Sequence, residues 1–187
     1  MKETRTPKER IIDTAVQLFN SVGVHTTGID RIIAESGVAK KTFYNHFESK
    51  NKLIAEYYKR KDEVWFSHLS KHSSDPKKTP SENLLGIFDG LYDWYREDDF
   101  YGCPFIRGLS DFGGELGDAE LKTCVGQHFT KTQELVAELL KKVRPKDYKE
   151  FVAKFMSLIA GATVVAHATK NPKIALVNKE MARILIS

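Results

Sequence analysis

Cysteine is scarce in this 187-residue chain, which carries only Cys103 and Cys124. Two thiols so far apart exclude a four-ligand metal framework and a disulfide-stapled scaffold, so no metal or cofactor site is expected and both are read as free thiols. Long apolar runs are missing too, and none approaches the roughly 20 residues that a bilayer span takes. The opening MKETRTPKER is too polar for a secretory signal, so the expected location is cytoplasmic, with no membrane partner. Twelve glycines and six prolines are too few for a fibrous chain, and no internal repeat occurs. Two-residue alternation bounded by hairpin turns is absent, which leaves strands without a home. Enzyme signatures are lacking as well. Asp111-Phe112-Gly113 mimics a kinase triplet without its Gly-rich loop, and no phosphate loop, His-Glu-x-x-His or serine elbow appears.

What is present is a globular composition, 41% hydrophobic and 29% charged, with a net charge of +4 that is unevenly placed. Residues 1–60 hold 11 Lys and Arg against 7 Asp and Glu, while the rest of the chain is balanced at 18 of each. A basic head on a neutral body is the pattern of a chain whose one end meets a polyanion.

Helix caps punctuate the sequence. Thr6-Pro7-Lys8-Glu9 and Thr79-Pro80-Ser81-Glu82 both read as capping boxes with proline in the first turn. The first opens a helix that stops near Gly23, and the second opens one through Leu84, Phe88, Leu91 and Tyr95. Ser49 caps a long helix from Lys50 to about Lys71, and His72 to Lys78 reads as a loop. After a break at Gly113, Gly114 and Gly117, two long helices follow, about 118–143 and 147–169, and a short one ends near Ile186. The expected fold is all-α, about nine helices.

Residues 27–47, TGIDRIIAESGVAKKTFYNHF, hold two short helical patterns on either side of Ser36-Gly37-Val38. Ile29, Ile32 and Ile33 before the turn and Phe43 and Phe47 after it would clamp the second helix across the first, a helix-turn-helix pattern. The outward face of that second helix offers Lys40, Lys41, Thr42, Tyr44, Asn45 and His46, with no acid among them to repel DNA. The spacing is also compatible with a solvated basic helix in a small bundle.

These residues resemble the tetracycline-repressor (TetR) class of bacterial regulators. Thr26-Thr27, Ile32, Gly37-Val38, Thr42, Tyr44, His46-Phe47, Ser49-Lys50 and Leu53 fall at the family's spacing, over about residues 8–55. The resemblance implies an N-terminal three-helix DNA-binding domain, residues 1–50, and a helical ligand-binding and dimerisation bundle, residues 51–187. It implies a homodimer on an inverted-repeat operator in double-stranded DNA, with repression relieved by a small molecule. Carried over by position, Thr27, Tyr44, His46 and Lys50 would touch phosphates, while Lys40, Lys41, Thr42 and Asn45 lie on the base-facing side. Ile33 and Ser36 stand where alanine is usual, Lys41 where a small residue is usual, and Ala39 where a Ser or Thr normally caps. The alternative is a helical small-molecule carrier or enzyme with a basic head.

In the body, the helix at 147–169 is apolar on more than one face. Phe151, Phe155, Leu158, Ala162 and Val165 form one stripe, expected to pair with the symmetry mate. A ligand cavity is expected near Phe66, Phe88, Tyr92, Phe105, Phe112 and His128, with Arg107 and Thr132 completing its polar part. A mainly apolar ligand there would tilt the helix that begins at Lys50. Cys103 stands at a helix start, where a dipole would favour its thiolate, although packing is the plainer reading.

Overall fold

The computed structural model describes residues 5–114 and 117–187. Nine helices and no strand occur among them: α1 (Pro7–Ser21), α2 (Ile29–Ser36), α3 (Lys40–His46), α4 (Lys50–Ser73), α5 (Pro80–Tyr95), α6 (Pro104–Phe112), α7 (Ala119–Val143), α8 (Tyr148–Thr169) and α9 (Ile174–Ile186). Both capping boxes form. The Glu9 amide donates to Thr6 Oγ1 at 3.2 Å and the Thr6 amide to Glu9 Oε2 at 2.7 Å, and Thr79 and Glu82 repeat the exchange at 3.2 and 2.7 Å. Ser49 accepts from the Lys52 amide, and Asp118 accepts from Glu120 and Leu121 at the head of α7.

Helix α4 outlasts its expected end. Ser73 is buried, its hydroxyl donates to the Leu69 carbonyl at 2.7 Å, and both His72 and Ser73 are helical. The remaining loop is held by Asn83, which donates to the Asp75 carbonyl and accepts from the Asp75 amide, both at 2.9 Å.

Two apolar clusters divide the interior. The first joins Ile11, Phe19, Ile32, Phe43, Leu53 and Tyr57 to Phe105, Phe112, Leu121 and Val125, so α6 and the start of α7 complete the core of the head. The second gathers Trp65, Leu69, Phe88, Leu91, Phe155 and Ala162 with residues of α7 and α9. Helices α4 and α7 run through both, α4 with Leu53 to Tyr58 in the first and Trp65 and Leu69 in the second. At its far end α4 approaches α5 closely enough that a Cβ on Gly86 would lie 2.0 Å from the His72 carbonyl oxygen.

The expected dimer stripe on α8 is divided. Phe155 and Ala162 are fully buried inside the chain, Phe155 against Phe88 with ring centroids 6.2 Å apart, and Phe151 is buried as well. Their own chain's α5, α7 and α9 cover that side. Leu158 is half-buried and Val165 exposed. They belong to another face, shared with Gly161 and Val164 on α8 and with Val177, Met181 and Ile184 on α9, all exposed. Helix α8 is also the one helix, among the described residues, long and apolar enough to cross a bilayer, with 39% of its most apolar window buried. Its apolarity is split between the chain's own core and this outward face.

Candidate nucleic-acid interface and body cavity

Helix α1 supplies the floor on which α2 and α3 rest, with Ile11, Ala15, Leu18 and Phe19 buried against Ile32 and Phe43. Between α2 and α3 the chain turns at Gly37, whose φ of +64° is left-handed and favours the residue without a Cβ. Arg10 Nη1 donates to the Gly37 carbonyl at 3.4 Å and ties this turn to α1. Phe43 is the only buried side chain within α3. It pins the helix, and Val38 and Phe47 are buried just outside its two ends.

Lys40, Lys41, Tyr44, Asn45 and His46 are consequently all exposed, and Thr42 is half-buried. Thr26 is exposed beside them. No acid lies in α3, but Asp30 of α2 stands 3.6 Å from Lys40 Nζ, an exposed pair that a phosphate could replace at little cost. Ala39 makes no side-chain cap, so the first turn of α3 lacks the hydrogen bond a Ser or Thr would give it. Lys50 is half-buried, its Nζ 3.5 Å from the His25 carbonyl oxygen, and burial lowers its pKa from the ordinary lysine value.

Thr27 departs from the role implied for it. Its side chain is fully buried and the hydroxyl donates to the Gly23 carbonyl at 2.8 Å, so it fastens the α1–α2 turn rather than facing a phosphate.

A three-helix head with a donor-rich, outward second helix has known counterparts. The sequence profile described as "Bacterial regulatory proteins, tetR family" matches residues 11–57. An HTH-type transcriptional regulator encoded in the lacX 3′ region of Lactococcus lactis is 27% identical over 73% of this chain and 69% of its own length. The head of this chain, residues 11–57, is that of the TetR family. The HTH-type transcriptional regulator AcrR of Shigella flexneri is 25% identical over 58% of this chain, which spans about half of that relative's length (55%). The body shares the fold as well. The TetR-family regulator SCO4454 of Streptomyces coelicolor superposes with a TM-score of 0.87 at 23% identity, covering 96% of this chain and 94% of that one. Escherichia coli NemR in its reduced form gives 0.79 at 14%, covering 94% of each. The matched head, the HTH-type relatives and the shared fold together support a DNA-binding transcriptional regulator of the TetR type.

In the body, four of the eight expected cavity residues come together. His128 is buried and stacks face to face on Phe105, with centroids 3.6 Å apart and planes at 3°, and Phe66 approaches it at 6.2 Å. The Thr132 hydroxyl donates to the His128 carbonyl at 2.9 Å. The other four lie elsewhere. Arg107 Nη2 donates to the Asn20 carbonyl of α1 at 3.3 Å, and Phe112 packs in the head cluster beside Tyr58 and His25. Phe88 is sealed in the distal core, and Tyr92 packs at that core's margin under Arg96.

The sequence reading missed Asp62, which holds His128 in place. Its Oδ1 lies 2.7 Å from His128 Nδ1, and its Oδ2 accepts from Lys131 Nζ at 2.8 Å. Burial opposes the charge on Asp62, but the hydrogen bonds from His128 and Lys131 prevail and hold its carboxyl below the ordinary range. Burial lowers the pKa of His128 in spite of the carboxylate beside it. The pair at neutral pH is thus a carboxylate and a neutral imidazole that donates from Nδ1. Asp62 and His128 stand 66 residues apart, a pairing no spacing rule reveals.

Two small voids adjoin this pair, of about 10 and 30 Å³, and both are lined by Trp65, Cys103 and His128. On the outer side, an open cleft of about 640 Å³ between head and body is lined by Lys52, Glu120, Lys131, Asp62 and Phe105. Phe105 and Asp62 therefore form a wall between cleft and interior. Burial pushes the Cys103 thiol up to about 11, which removes the thiolate expected at this helix start.

Proposed function

We propose that this TetR-family chain acts as a homodimeric repressor that binds an inverted-repeat operator with α3 and is released by a small, mainly apolar ligand taken up beside His128. The DNA-binding unit is residues 1–50, whose first four lie outside the described residues, and residues 51–187 sense and dimerise. The observation that carries the reading is the course of α4, which packs against α1 in the head at one end and into the body's core at the other. A ligand that shifts α4 in the body shifts the head with it.

Exposed Lys40, Lys41, Tyr44, Asn45 and His46, with Thr42 and Lys50 beside them, supply donors for base edges and phosphates. Thr26 adds a hydroxyl at the margin. The dimer seam is the outward face of α8 and α9, where Leu158, Val165, Val177, Met181 and Ile184 lie together and Gly161 leaves room for close approach. Two chains joined there form a four-helix bundle and present their α3 helices to half-sites about 34 to 36 Å apart, or a multiple of that. Such a protein works where the DNA is, in the cytoplasm, and needs no catalytic group.

Light scattering and footprinting test this. The wild-type chain is expected to be a dimer that protects two symmetric half-sites upstream of its own gene. Met181→Asp buries a charge in the seam and is expected to give a folded monomer without specific protection. A dimeric, fully protecting Met181→Asp protein would overturn the assigned seam.

A further inference from the structure

The proposed sensing role leaves the chemistry of the ligand open, and the walls around His128 narrow it. Asp62 accepts the Nδ1 proton, so the neutral ring keeps Nε2 as an acceptor, and no described residue hydrogen-bonds that atom. Across the voids, Trp65 Nε1 is a buried donor without a partner among the described residues, on a side chain only 6% exposed. Trp65 and His128 line both voids, and their ring centroids are 5.7 Å apart. A buried donor without a partner and, on the same void walls, an imidazole nitrogen that no described residue hydrogen-bonds are complementary to one hydroxyl.

Shape and charge narrow the class further. The walls are aromatic faces and edges: Phe105 stacked on His128, and Trp94 against Trp65 at 5.0 Å with planes at 72°. Flat ligands slot between such rings. The charges nearby are already matched, Asp62 by Lys131 at 2.8 Å and Lys61 by Asp99 at 3.5 Å. A charged guest would lose its water with no counter-ion left for it. The voids hold about one water each, so entry requires Phe105 and α6 to yield, and the open cleft on the far side of Phe105 supplies the approach.

We propose, resting on the sensing reading above, that this site takes a flat, uncharged aromatic alcohol of the phenol or naphthol class, its hydroxyl donating to His128 Nε2 and accepting from Trp65 Nε1.

Calorimetry of the full chain with 2-naphthol, 2-methylnaphthalene and 2-naphthoate at neutral pH tests this. One 2-naphthol per chain is expected to bind about tenfold or more tighter than either of the others, because only the hydroxyl satisfies both the Trp65 donor and the His128 acceptor. His128→Phe keeps a ring on Phe105 but removes the acceptor, and Trp65→Phe removes the donor. Each is expected to erase most of the hydroxyl preference while 2-methylnaphthalene binds about as before. Equal affinity for the three compounds, preference for the anion, or an undiminished hydroxyl preference in both variants would overturn the assignment. Operator titration separates this from the sensing reading. If 2-naphthol binds as expected and leaves operator affinity unchanged, sensing fails and the site chemistry stands. If 2-naphthoate alone releases the operator, the chemistry fails and sensing stands.

Discussion

Thr27 shows how a side chain at a family's contact position can be occupied by its own fold. Its hydroxyl is bonded to Gly23 with no surface exposed, so Thr27→Val is expected to cost about 1 kcal/mol of stability for the lost hydrogen bond. The folded variant should keep the wild-type salt dependence of DNA binding, and a shallower slope would restore Thr27 to the phosphate set. His128 gives a pH dependence of definite sign. Its folded pKa lies below the unfolded value near about 6.5, so the unfolded chain binds the extra proton as pH falls through that value. Melting temperature is expected to drop between about pH 7.5 and 5.5, and less so in His128→Phe. Asp62 acts lower down: its folded pKa is depressed, and its contribution persists until pH falls below the ordinary carboxylate range. The same loss in both proteins would remove His128 from the account. At this scale the exposed donors of α3 were legible because a helical period sorts faces. The bonds of Thr27, Arg107 and Asp62 were not, because each depends on a tertiary partner.

Helix boundaries were the most legible feature of all, since Thr6, Ser49, Thr79 and Asp118 each carry a local hydrogen-bonding reason to start a helix. The end of α4 was missed because a polar run reads as loop when its surroundings are unknown, and Ser73 is buried. The α4–α5 contact is likewise invisible in one dimension. Gly86 lies mid-helix, where alanine would gain about 1 kcal/mol of propensity, yet its Cβ would meet a backbone oxygen at 2.0 Å. Neither helix can yield without moving buried neighbours, so Gly86→Ala is expected to be destabilising, by about 1–3 kcal/mol net in denaturant melts. A more stable Gly86→Ala protein would show that the two helices are free to separate.

At the scale of the whole molecule, the charge asymmetry and the head motif pointed correctly to a DNA-binding regulator, and the all-helical body followed from periodicity. What periodicity could not do was apportion the two apolar faces of α8. The inward one, with Phe155 and Ala162, is used by the chain itself, and the outward one continues onto α9. Which of the expected cavity residues meet was not legible, because aromatic residues crowd the middle of the sequence and only folding sorts Phe105 and His128 from Phe88 and Phe112. In the proposed mechanism α4 links the sensing body to the head that carries α3, and a coupling of only about 1 to 3 kcal/mol would change operator affinity by about 5- to 150-fold.

The central claim, specific recognition by a pair of exposed α3 helices, is tested most directly by equilibrium titration of a labelled duplex bearing the upstream inverted repeat, at several salt concentrations, with the wild-type chain and Lys50→Ala. The account predicts two chains per duplex and a preference of about a thousandfold or more over a scrambled duplex. It also predicts a log-log salt slope about two units shallower in Lys50→Ala, one phosphate contact being lost from each subunit. Equal affinity for the inverted repeat and the scrambled duplex at every salt concentration would contradict it.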